Sequence, residues 1–127
     1  MRVIVTGGRN YGDADRVFDA LDEIRNSSGL GTEMVIVHGG CPGGADYFAS
    51  QWCGGKLGVV EERHQADWKK NGRAAGPIRN SQMAELGADI CLVFPGGRGT
   101  ADMASKARRA GITVEVQALN RTAAETR

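Results

Sequence analysis

The chain has 127 residues, with 16 Lys+Arg against 15 Asp+Glu, a net charge of +1, and 41% hydrophobic and 24% charged residues. That balance suits one globular domain able to bury its own core, and it excludes a general surface for polyanions or anionic membranes. Nineteen glycines against three prolines are the outlier. They are clustered rather than periodic, so collagen and low-complexity readings fail and specialised loops remain.

In chain order, Val3-Ile4-Val5 reads as a first strand. It runs from Met1-Arg2 straight into Gly7-Gly8, so no signal peptide is expected. Asp13 to Arg25 places Val17, Phe18, Leu21 and Ile24 on one helical stripe. Met34 to Val37 is a second apolar strand. A helix over Ala45 to Cys53 follows, carrying Phe48, Ala49 and Trp52. Leu57 to Val60 reads as a third strand, and the polar stretch from His64 to Gly76 as a long loop. Pro77 to Leu86 is a helical pattern opened by proline, whose fixed φ suits a first turn. Ile90 to Phe94 is a fourth strand with Cys91 as a small core residue. A helix over Ala101 to Ala110 and a weaker strand over Ile112 to Val116 complete the series. The polar segment Gln117 to Arg127 reads as a fraying tail.

Strands alternating with helices of about ten residues define βαβ units. Nearly continuous apolar strands are those covered on both faces. The expected architecture is therefore α/β, a Rossmann-like three-layer αβα domain over residues 1–116. Its sheet is mostly parallel and five-stranded, in the order 3-2-1-4-5. No stretch has the length of a membrane span, so no membrane partner is expected. Three cysteines without a CxxC pair point to a reducing cytoplasm.

The glycine clusters follow strands. Thr6-Gly7-Gly8-Arg9 follows the first, His38-Gly39-Gly40-Cys41-Pro42-Gly43-Gly44 the second, and Pro95-Gly96-Gly97-Arg98-Gly99-Thr100 the fourth. In a parallel sheet these loops share the carboxyl edge, where open α/β sheets bind ligands at the reversal of strand order. Gly7-Gly8 and Gly96-Gly97 are expected to face each other there. Glycine permits φ > 0, which would form anion nests, and it permits close backbone approach to a phosphate. Each pair is also consistent with a plain tight turn. The helix that follows adds its positive end.

Arg9, Arg79 and Arg98 lie just before, or in the first turn of, expected helices, where a cation opposes the dipole. An anion between them resolves the mismatch, and a guanidinium suits phosphate or carboxylate; pairing with Asp13, Asp15, Asp46 or Asp102 is the alternative. Asp46 is a helix cap or a ribose-hydroxyl ligand. Thr100 is a cap, a phosphate ligand or both. Trp68 stacks on a base or packs under its loop. His38, His64 and Cys41 lack metal-site spacing, so no metal and no cofactor are expected. Cys41 as a nucleophile lacks a nameable base.

Several of these segments together resemble the YspA-type, cpYpsA-related proteins of the SLOG superfamily, which also holds the LOG (lysine-decarboxylase-like) and DprA/Smf proteins. The resemblance spans roughly residues 2–116. It rests on Val5 to Arg9, His38-Gly39-Gly40 with Gly43-Gly44-Ala45-Asp46, Ala66-Asp67-Trp68, Ala74 to Asn80, and Phe94 to Met103. It implies a Rossmann-like fold and nucleotide-related ligands. LOG enzymes cleave the N-glycosidic bond of nucleoside monophosphates. They carry P-G-G-x-G-T-x-x-E, where the glutamate is catalytic and works with an upstream arginine. Here Pro95 to Thr100 match, but the glutamate position is Met103; Asp102 lies one residue earlier, about 100° around a helix. Arg79 resembles the LOG arginine by position alone.

The reading is a module binding a nucleotide or nucleotide-derived ligand, NAD-derived or signalling, as a sensor or sequestering protein. Its ligand-binding residues would be Gly7, Gly8, Arg9, Gly39, Gly40, Gly43, Gly44, Asp46, Trp68, Arg79, Asn80, Gly96, Gly97, Arg98, Gly99 and Thr100. The alternative is a nucleotide N-glycosidase or phosphoribohydrolase using Asp102 or Asp46, with Glu85 a further carboxylate available to it. Binding of single-stranded DNA, by analogy with DprA/Smf, is disfavoured by the near-neutral charge. By analogy with LOG relatives the chain is expected to be a homodimer.

Overall fold

A computed structural model describes residues 1–29 and 31–117. The strands are β1 (Arg2–Thr6), β2 (Met34–His38), β3 (Val59–Arg63), β4 (Ile90–Val93) and β5 (Thr113–Val116). The α-helices are α1 (Ala14–Ser27), α2 (Gly44–Cys53), α3 (Trp68–Asn71), α4 (Ala75–Leu86) and α5 (Arg98–Arg109). A 3-10 turn, Gly72–Ala74, joins α3 to α4. All five strands pair in parallel, in the order β3-β2-β1-β4-β5. This is the expected Rossmann-like order. The tail expected from Gln117 lies, from residue 118 on, outside the described residues.

Side-chain alternation on β1 divides the core into two layers. Val3 and Val5 point to one face and pack with Val17, Leu21 and Ile24 of α1 and Ala45, Ala49 and Trp52 of α2. Ile4 points to the other and packs with Met83 and Ala84 of α4 and Met103, Ala104 and Ala107 of α5. All three β1 side chains are buried. Such burial is worth about 1.5–3 kcal/mol for each large aliphatic side chain, which is why β1 sits at the centre. Trp52 Nε1 donates to Asp22 Oδ1 at 2.9 Å and fastens α2 to α1.

Three departures from the expected boundaries bear on the sheet edge and on the site. β3 spans Val59–Arg63 rather than 57–60. It is an edge strand, so Glu61, Glu62 and Arg63 can belong to it without being buried. Its ladder is reinforced through side chains. Arg2 donates from Nη1 and Nη2 to the two oxygens of Glu62, at 3.0 and 2.8 Å. His64 Nε2 lies 2.7 Å from Glu62 Oε2. The stretch expected as a loop before Pro77 instead holds α3 and the 3-10 turn, and α4 starts at Ala75. Pro77 is thus the third helical residue; its missing N–H is still one of the four that a helix start leaves unbonded. α5 starts at Arg98 rather than Ala101.

Candidate functional site

The loops after β1 and β4 meet at the reversal of strand order. Gly8 N–H donates to Pro95 O at 2.9 Å. A Cβ on Gly8 would lie 3.1 Å from Gly96 Cα, and one on Gly96 would lie 2.2 Å from Thr100 Oγ1 and 2.6 Å from Gly8 N. The two glycine pairs do face each other, and they do so by contact. Gly7 is equally confined, by Ala45 Cβ at 2.7 Å and Phe94 Cβ at 3.0 Å. The loop after β2 closes the third side. Gly44 has φ +73°, and a Cβ there would lie 2.0 Å from Gly8 O.

The expectation of φ > 0 nests at Gly7-Gly8 and Gly96-Gly97 is overturned. Within the three glycine clusters that follow β1, β2 and β4, only Gly40 and Gly44 have positive φ. Gly7, Gly8 and Gly96 are needed for close backbone packing. Gly97 and Gly99 are different: a Cβ on either meets nothing within 4 Å. They open onto a crevice of about 750 Å³ at the carboxyl edge of the sheet.

Of the residues singled out from sequence, Gly7, Gly8, Arg9, Asp46, Trp68, Arg79, Asn80, Gly97, Arg98, Gly99, Thr100 and Asp102 line this crevice. Gly39, Gly40, Gly43, Gly44 and Gly96 do not. Gly39 makes room for Arg79, whose Nη1 would lie 2.1 Å from a Cβ at that position. Gly40 faces a smaller cavity of about 360 Å³ behind the loop, and Cys41 and Asp46 line both spaces. Gly43 backs onto Arg9 O, 3.0 Å from where its Cβ would be. Gly96 packs on Gly8 and Thr100. The sequence reading missed Arg73, on the 3-10 turn, and Thr6 and Gly76, all of which line the crevice. The signal for Arg73 was its place beside Trp68 in the basic turn Lys69 to Arg73.

Neither proposed cap acts as one. Gly43 caps α2 and Gly97 caps α5, neither with a side-chain bond. Asp46 and Thr100 are each the third residue of their helix. Asp46 is buried and accepts from Cys41 N–H at 3.2 Å. Its burial pushes the carboxyl pKa upward, against the Cys41 and Gly39 N–H groups and the charge of Arg79. Asp102 is the opposite case. Burial pushes it up, but hydrogen bonds from Asn80 Nδ2 at 3.0 Å and Lys106 Nζ at 2.9 Å outweigh this and hold it below the ordinary range. Lys106 stands one turn after Asp102, an i,i+4 spacing visible in the sequence. Met103, at the position of the LOG glutamate, is fully buried in the core with α4. Asp102 is the acid this helix presents to the crevice.

Arg79 lies in the second turn of α4, not the first. Its Nη1 donates to Gly39 O at 2.8 Å and His64 O at 3.4 Å, and its Nε to Asn80 Oδ1 at 3.0 Å. Asn80 is buried and also donates to Gly99 O at 3.2 Å. Arg9, Arg73 and Arg98 have no hydrogen-bond or ion-pair partner among the described residues. The alternative pairing of Arg9 and Arg98 with aspartates is therefore not found. Trp68 is 57% exposed, and its ring edge would lie 3.4 Å from a Cβ on Gly76. His38 is buried, with Nδ1 accepting from Gly40 N–H at 3.0 Å and Nε2 lying 2.5 Å from Glu61 Oε2. Both nitrogens are thereby engaged. Among the described residues no three His, Cys, Asp or Glu side chains gather as a metal-binding group, and no helix is long and apolar enough to cross a membrane.

A five-stranded parallel sheet in this order, with helices on both faces and a basic crevice at its strand-order reversal, defines a Rossmann-like domain. Residues 1–71 match the YspA, cpYpsA-related SLOG family, and the chain belongs to that family. The matched stretch contains the loops after β1 and β2. It stops short of α4 and the loop after β4. The Gene 61 protein of Mycobacterium phage D29 is 43% identical over 119 residues, covering 89% of this chain and 93% of that protein.

Proposed function

We propose that the crevice binds a nucleotide or nucleotide-derived ligand through phosphate, and that the protein acts as a sensor or sequestering module. The observation that carries this is the start of α5. Gly97 and Gly99 leave their backbone open to the crevice where packing makes no demand for glycine. The helix N-terminus supplies unbonded N–H groups there, and Arg9 and Arg98 flank it without protein partners. Trp68 offers an exposed ring for a base. Family membership supports a nucleotide-related ligand in general.

Hydrolysis of an N-glycosidic bond is the second reading, favoured by one observation. Two carboxylates line one crevice with pKa values displaced in opposite directions, Asp46 up and Asp102 down. That divergence is what an acid and a base need to share a site. A homodimer is proposed as well; exposed Ile78 and Leu86 on α4 would be covered in it, and light scattering tests it.

The deciding experiment incubates the protein with a mixed nucleotide pool, including NAD and ADP-ribose, and analyses bound and free fractions by mass spectrometry. An intact nucleotide in the bound fraction with an unchanged pool supports the binder. Free base and ribose phosphate in solution support the hydrolase. A bound fraction without nucleotide, over an unchanged pool, overturns both.

A further inference from the structure

We propose that Arg73 forms a second anion subsite, so that the ligand carries phosphate-type groups at two separate positions; this rests on the nucleotide reading above. Charge pairing in the crevice carries the inference. Four guanidiniums line it, from Arg9, Arg73, Arg79 and Arg98, against two carboxylates, Asp46 and Asp102. Asp102 is already held by Lys106 and Asn80. Asp46 is faced by Arg79, which is itself committed to Gly39 O, His64 O and Asn80. No carboxylate of the site is left for the other three arginines, and among the described residues none of the three has a partner.

Arg9 and Arg98 stand on the loops that meet at Gly8 and Pro95, at the start of α5. One phosphate there satisfies both forks together with the helix N–H groups. Arg73 belongs to another element, the 3-10 turn before α4. It follows α3, whose first residue is the exposed Trp68. A base stacked on Trp68 would bring a further substituent of the same molecule toward Arg73. With one phosphate engaged by Arg9 and Arg98, Arg73 is left for a second anionic group of the same ligand. The ligand class so proposed is a nucleotide bearing two phosphates, on different positions or at the two ends of a short chain.

The test titrates the wild type and Arg73→Ala calorimetrically. The probes are adenosine and guanosine 5′-monophosphate, the 5′-diphosphates, the 3′,5′-bisphosphates, and a short single-stranded oligonucleotide. At least one two-phosphate compound is expected to bind about tenfold or more tightly than its monophosphate, a step typical of one added charge-assisted contact. Arg73→Ala is expected to weaken that compound at least about fivefold more than the monophosphate, and Arg73→Lys to restore part of the difference. An unchanged melting temperature in the variants separates this from a structural role. Binding of monophosphates with no gain from a second phosphate overturns the second subsite and leaves the nucleotide reading standing. Equal weakening of both probe types by Arg73→Ala does the same. Binding of the oligonucleotide alone, or of none of the probes, overturns both.

Discussion

Gly44 and Gly97 are expected to respond to a side chain in opposite ways. At Gly44 a Cβ would fall 2.0 Å from Gly8 O and 2.8 Å from Arg9 Cα, and φ is +73°. The left-handed conformation costs a non-glycine residue about 1–2 kcal/mol, and overpacking adds about 1–3 kcal/mol. The obstructing atoms are backbone and cannot rotate aside. Gly44→Ala is therefore expected to lose about 2–5 kcal/mol. At Gly97, φ is −101° and nothing lies within 4 Å of the new Cβ. Gly97→Val changes only the helix-capping preference, a cost of about 1 kcal/mol or less. It places a branched side chain where the proposed ligand's phosphate would approach, so nucleotide affinity is expected to fall at least about tenfold. Urea unfolding with linear extrapolation measures the first quantity, and calorimetric titration the second. The reasoning fails if Gly97→Val is as destabilised as Gly44→Ala, for then glycine serves the fold at both positions. It fails equally if Gly97→Val binds ligand like the wild type.

Arg79→Ala is expected to weaken nucleotide binding about tenfold or more and to destabilise by about 1–3 kcal/mol, since it releases Gly39 O and leaves Asp46 without its facing charge; titration and urea unfolding check the two effects. Asp46→Asn is expected to be neutral or stabilising at pH 7. The folded-state pKa is raised, so the contribution of this group is full below its unfolded value and is lost as pH rises through the folded one. A fall in melting temperature at pH 7 would contradict this. Glu62 is held down at about 2 by Arg2 and His64. Its contribution is present above its ordinary 4.5 and is lost as pH falls from there toward 2. The pair is about one-third exposed, so Glu62→Gln is expected to cost about 1 kcal/mol at pH 7 and nothing near pH 2, which unfolding curves at both pH values would show.

The fold was legible because the three inner strands are buried on both faces, which leaves Val3-Ile4-Val5, Met34 to Val37 and Ile90 to Phe94 nearly free of polar residues. β3 was misplaced for the converse reason. At the edge, Glu61 and Glu62 can remain in a strand by pairing with His38, Arg2 and His64. The start of α4 was set two residues late because Pro77 reads as the first helical residue and Gly76 as the end of a loop, although a first turn also tolerates proline at its third position. Most of the candidate site was legible from the glycines that follow strands. What sequence could not show is the division of labour among them. Gly7, Gly8 and Gly96 hold loops together, Gly39 clears space for Arg79, and Gly97 and Gly99 face the crevice. That distinction depends on atoms from segments distant in the chain. Arg73 escaped notice because the turn that carries it was read as loop.

The hydrogen bond from Gly8 N–H to Pro95 O joins two segments 87 residues apart, and the crevice exists only where they meet. Ligand affinity is thus tied to completion of the whole sheet. A fragment ending before β4 would lack the α5 side of the crevice, and with it half of the proposed phosphate site, however well its own strands formed. By the same linkage a ligand at one hundred times its dissociation constant adds about 2.7 kcal/mol to the stability of the entire domain. Occupancy is then readable as resistance to unfolding. Under the proposed function, a cell would hear the concentration of the ligand as the lifetime of the protein itself.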